Sequence, residues 1–146
     1  MKHLLTALAI LLAVIVAAPA AEGESDVRVA IHIDENDPQK MNIVLNNAQN
    51  VEKYYAEQGK TVEIAIVAHG PGLTMFRADK SPVKDRIEVI EMASPSVHPE
   101  ACGNTITGLT KKEGAAPPLL EGVEVVPSGA VRLIELQLAG WAYLRP

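Results

Sequence analysis

Apolar and polar positions change their period along this chain, and each change marks an element. Val27, Val29, Ile31 and Ile33 alternate with Arg28, Ala30 and His32, the period of a strand with one face toward a core. Asp37 then suits a helix cap, and Pro38 suits the first helical position, where a missing N–H costs nothing. Met41, Val44, Leu45, Ala48, Val51 and Tyr55 follow at helical spacing, and Gly59 is placed to close that helix. From Thr61 to Ala68 both faces are apolar beyond Glu63, as in a strand covered on two sides. That strand runs into the turn His69, Gly70, Pro71, Gly72.

The second half is less regular. Leu73 to Ala78 reads as a short helical turn, and Ser81 and Pro82 open a second helix with Val83, Ile87 and Ile90 facing inward. Val97 to Ala101 is a poor strand, because Pro99 lacks a ladder donor and Glu100 resists burial, so an edge strand or a short piece is expected. Thr110 and Glu113 have the spacing of a capping box, but Gly114, Pro117 and Pro118 limit any helix there to about a turn. Val123 to Val126 is a short strand, Ser128 or Gly129 caps a last helix reaching Ala139, and Trp141 to Leu144 forms a final strand. The last helix is apolar on more than one side, which predicts deep burial or contact with another subunit. This alternation predicts one α/β domain over residues 27–146: a three-layer sandwich with a mainly parallel sheet of about five strands and flavodoxin-like layering.

The N-terminus has a different pattern. Lys2 and His3 precede an apolar run from Leu4 to Val16, and Ala18, Pro19 and Ala20 match a small-residue cleavage site. Residues 1–20 are therefore expected to be a signal peptide, since the run is shorter than the roughly 20 residues of a membrane span. Residues 21–26 are expected to be a disordered leader. The mature protein is expected in the periplasm or secreted, with no membrane partner after cleavage.

Charge and composition remove other classes. The net charge is −5, and loss of Lys2 makes it one unit more negative, which disfavours nucleic acid as a partner. Asp34, Glu35 and Asp37 lack the further ligands of a calcium loop, so capping is favoured. One cysteine and scattered histidines give no zinc spacing, and no P-loop or dinucleotide fingerprint occurs, so neither metal nor cofactor is expected.

The candidate chemistry lies where strands meet loops. Cys102, the only cysteine, has no intrachain disulfide partner; it is a packing residue, a reactive sulfur or half of an intermolecular bond. If Gly103, Asn104 and Thr105 open a helix, their N–H groups would stabilise the thiolate, and His69 or His98 would add positive character. His69, Gly70 and Gly72 form a second candidate, a turn whose amides would face an anion. His32 is expected to be an ordinary strand histidine at the edge or rim of the sheet.

Several short stretches together resemble the DsrE/DsrF-like family of small sulfur-handling proteins. They are Asn46 to Ala48, Ile66 to Gly72, Ala101 to Thr105, Val126 to Gly129 and Gly140 to Tyr143, in the family's order and rough spacing. The resemblance implies an α/β sandwich that assembles into trimers or larger homo-oligomers. It also implies a loop cysteine, Cys102 here, that accepts sulfur as a persulfide from a donor and passes it to an acceptor. The alternative from another class is a non-catalytic oligomer that binds a small anion or ligand, with Cys102 as part of the wall.

Overall fold

The computed structural model describes residues 25–146. The expected signal peptide, and most of the leader, lie outside the described residues. Among the described residues no helix is long and apolar enough to cross a membrane.

Five strands, β1 (Val27–Ile33), β2 (Val62–Ala68), β3 (Val97–Cys102), β4 (Glu124–Val126) and β5 (Ala142–Leu144), form one parallel sheet in the order β4-β3-β2-β1-β5. The helices α1 (Pro38–Ala56), α2 (Lys84–Ala93), α3 (Gly103–Glu113) and α4 (Gly129–Leu138) connect them, with a 3-10 segment at Gly70–Phe76. The expected α/β sandwich and parallel sheet are present.

Topology dictates the layers. The first three crossovers step across the sheet in one direction, so right-handed connections place α1, α2 and α3 on one face. The last crossover returns from β4 to β5 at the opposite edge, which sends α4 alone to the other face. The cores follow that division. Val29, Ile31, Ile33, Ile64, Ile66 and Ala68 pack with Met41, Val44, Leu45, Ile87 and Ile90 on the first face. Ala30, Ala65 and Val67 meet Leu133 and Leu136 of α4 on the second. Each fully buried branched or aromatic side chain contributes about 1.5–3 kcal/mol.

Local signals explain most boundaries. Asp37 accepts from the Gln39 N–H at 2.8 Å, and Pro38 opens α1 as expected. Ser128 caps α4 by accepting from the Val131 N–H. Helix α2 starts at Lys84 rather than at Pro82, because the Ser81 hydroxyl binds the Met75 carbonyl and holds Ser81 to Val83 in a turn. Three apolar side chains of α4, Val131, Ile134 and Leu138, remain exposed.

Two expectations are corrected. β3 is an inner strand of six residues, not an edge piece. The Ile64 N–H donates to the Ser96 carbonyl, so even-numbered positions of β3 address β2 and Pro99 addresses the other flank. There β4 pairs only from Glu100 onward, so no ladder bond is demanded of Pro99. Glu100 is buried because Arg132 of α4 donates to both its carboxylate oxygens, at 2.8 and 2.7 Å. The second correction concerns α3, which fills Gly103–Glu113 and ends at Gly114 with φ +82°. Thr110 caps nothing; its hydroxyl bonds back to the Ile106 carbonyl inside the last turns.

Candidate functional site

β3 and β4 differ in where their chains go next. β3 feeds α3 on one face and β4 feeds α4 on the other, so a crevice opens between the carboxyl ends of these two strands. Such a switch point is where parallel α/β sheets gather ligands. Cys102 occupies it. It ends β3, stands at the N-cap of α3, and lies opposite Val126, three residues before Gly129 opens α4.

The sulfur therefore faces two helix N-termini. Burial pushes the Cys102 thiol up, but hydrogen bonds from the Gly129 N–H, the Thr105 hydroxyl and the Thr105 N–H more than offset this, with Asn104 contributing least. The thiol ionises below its ordinary value. Thr105 is well placed to donate, because its hydroxyl oxygen already accepts from the Gly70 N–H at 2.9 Å. The Asn104 N–H is shared with the Pro127 carbonyl at 3.2 Å. Gly129 has no room for a side chain: a Cβ there would lie 2.9 Å from the His69 Cβ and 3.2 Å from the Cys102 Cβ. His69 and Cys102 thus flank the start of α4 from neighbouring strands.

Of the residues singled out in the sequence, Cys102, Gly103, Asn104, Thr105 and His69 meet at this crevice. Gly103 fits because a Cβ would sit 3.1 Å from the Val126 carbonyl oxygen. Gly70 and Gly72 do not form an anion cradle. The Gly70 amide is committed to Thr105 and the Gly72 amide to the His69 carbonyl at 3.1 Å. Gly72 is needed instead for close approach, since a Cβ would stand 2.4 Å from the Ile33 carbonyl oxygen. His98 lies four residues back along β3, roughly 13 Å away at strand rise, beside Glu63 at 3.8 Å, and does not join the site.

His32 stands at the rim of the sheet but not on an edge strand. β1 lies between β2 and β5, and the His32 ring spans the strand ends, with Nε2 2.7 Å from His69 Nε2 and Nδ1 2.7 Å from the Tyr143 hydroxyl. Burial first, then the neighbouring His69, hold His32 below its ordinary value; Asp34 opposes this and Arg145 adds to it. The alternation groups His32 with Arg28 and Ala30 on one face of β1, and only the pairing of β1 with both β2 and β5 reveals its partners. Cys102 itself is 4% exposed, so the thiol is activated but nearly enclosed. A cleft of about 890 Å³ opens on the far side of Gly70 and Thr105, lined also by Lys80 and Lys112. It does not reach the sulfur. Among the described residues no group of His, Cys, Asp and Glu is arranged to hold a metal.

The solved structure of MTH1491, a protein of unknown function from Methanobacterium thermoautotrophicum, is similar to this one with a TM-score of 0.70 and 34% sequence identity. The match covers 83% of this chain and 100% of that one. No family model matches the chain, and no curated protein matches it.

Proposed function

The chain belongs to the family of MTH1491, whose function is open, and we propose that its site carries sulfur as a persulfide on Cys102, in the manner of a DsrE/DsrF-like relay protein. One observation carries this reading: the sole cysteine stands at the switch point of the sheet between two helix N-termini, where its thiol ionises below its ordinary value. A thiolate attacks the outer sulfur of a donor persulfide: Cys–S⁻ + R–S–SH → Cys–S–SH + R–S⁻. One S–S bond forms as another breaks, and the electron pair leaves on the donor thiolate. The near closure of the crevice suits a donor with a slim terminal sulfur. The spent amides of Gly70 and Gly72 weigh against an anion-binding wall.

The test is intact-mass measurement after exposure to polysulfide. The wild type is expected to gain whole sulfur atoms and Cys102→Ser none. Iodoacetamide should modify Cys102 with a pH midpoint below the roughly 8.5 of a free thiol. A wild type that gains no sulfur, or a midpoint above the free value, rejects the carrier.

Export by a signal peptide of residues 1–20 and self-association belong to the same proposal. Val131, Ile134 and Leu138, exposed on α4, support a second copy as partner. Light scattering should return a multiple of the chain mass, and a monomer at micromolar concentration removes this part. Export itself is checked by fractionating expressing cells, where recovery of uncleaved chain from the cytoplasm counts against it.

A further inference from the structure

The His32 and His69 rings stack with centroids 4.6 Å apart and their Nε2 atoms 2.7 Å apart. Two N–H groups, or two lone pairs, facing each other at that distance would repel, so one proton lies between the rings. Tyr143 completes the chain. When His32 gives its Nε2 proton to His69, Nδ1 accepts from the Tyr143 hydroxyl; when His69 donates, Nδ1–H donates to that hydroxyl oxygen. One further proton is accommodated, because an imidazolium at His32 donates to both neighbours. A second is not, because it would set N–H against N–H. The pair therefore takes up a single proton as one unit.

This unit abuts the sulfur site. The Cβ and Cδ2 of His69 lie against the Gly129 position on one side, and the Cβ of Cys102 lies against it on the other. The Gly70 amide that follows His69 binds the Thr105 hydroxyl that supports the sulfur. His69 is half-buried, whereas His32 is buried. The other groups facing the pair are Asp34, with its Oδ2 4.0 Å from His32 Nε2, and Arg145, which is paired with Asp34 at 2.8 Å. Across the α4 face stands the Glu100–Arg132 pair.

We infer that His69 is the proton donor and acceptor of the Cys102 site, with His32 and Tyr143 as the positioning residues that set its proton. The inference rests on the persulfide reading above. The neutral pair takes the proton of Cys–SH, the thiolate attacks R–S–SH, and the protonated pair returns that proton to R–S⁻ to release R–SH. Protons balance over the cycle, and no oxidant or reductant is consumed. Burial, which holds His32 below its ordinary value, favours the form that accepts a proton.

The experiment compares two reactions of the full chain across pH: sulfur uptake from glutathione persulfide, whose leaving thiolate needs a proton, and iodoacetamide alkylation, whose leaving iodide does not. Wild-type uptake should be bell-shaped in pH. His69→Gln should lower uptake about 100-fold and lose the alkaline limb, while alkylation of the ionised thiol keeps its rate. Tyr143→Phe removes only a hydroxyl from a half-exposed ring and should displace that limb with a several-fold loss, so it decides the matter if His69→Gln does not fold. Variant profiles that match the wild type, or uptake and alkylation falling in parallel, overturn the inference alone. A wild type that takes up no sulfur overturns the persulfide reading and the inference together.

Discussion

Gly72→Ala is expected to destabilise the protein by about 3 kcal/mol or more, at the upper end of what overpacking costs. The added Cβ would stand 2.4 Å from the Ile33 carbonyl oxygen, 2.6 Å from its carbonyl carbon and 2.8 Å from the Asp34 Cα. All three are backbone atoms at the end of β1, so no rotamer change relieves the clash. The 3-10 segment must move outward, and it carries Leu73, Met75 and Phe76, all fully buried. Gly108→Ala is the control. It lies within α3, nothing stands within 4 Å of its Cβ position, and the change should stabilise by about 0.5–1 kcal/mol. Urea midpoints at constant slope measure both. A Gly72→Ala protein within 1 kcal/mol of wild type would mean that the turn does not hold this close approach in solution.

Arg132→Met should cost about 3–5 kcal/mol, since it strips the side-chain partner from a carboxylate that is 2% exposed. Changing Glu100 to Met as well should restore most of the loss, because the desolvated charge goes with it. Chemical denaturation of the two single variants and the double variant completes the cycle. A double variant as unstable as Arg132→Met would show that the loss comes from packing of the arginine stem rather than from the orphaned charge. The pair also bears on the sulfur. Glu100 and Cys102 share a face of β3, and Arg132 lies one helical turn beyond Gly129, so the clamp holds the first turn of α4 beside the thiol. In Arg132→Met the alkylation midpoint of Cys102 should rise toward that of a free thiol.

The layers were legible because period-two and period-3.6 patterns are clean in β1, α1 and β2, and Asp37, Pro38 and Gly59 punctuate them. Helix α3 was not. Gly103 and Gly108 together with Thr105, Thr107 and Thr110 have low helix propensity, and no residue of α3 is fully buried, so the apolar stripe is faint. Its C-terminus is closed by the left-handed Gly114, whose N–H donates to the Thr110 carbonyl. The local pattern of β3 misleads for a related reason. Proline and glutamate are poor strand residues in isolation, and only the stagger of β4 and the arrival of Arg132 make them tolerable. The sulfur site was half legible. Cys102 and its following amides could be read in order along the chain, whereas His32, His69, Tyr143 and Gly129 are brought together by strand order, which local pattern does not encode.

The stagger at Pro99 has a consequence for how copies of the chain can meet. On the outer flank of β3 the Val97 N–H turns to the Ser94 carbonyl, Pro99 has none, and Ala101 is paired with β4. That flank keeps no free donor, so a strand from another molecule finds no ladder to continue there. The true edges, β4 and β5, are three residues each. The sheet is thereby guarded against edge-to-edge polymerisation along the part of β3 that β4 leaves uncovered.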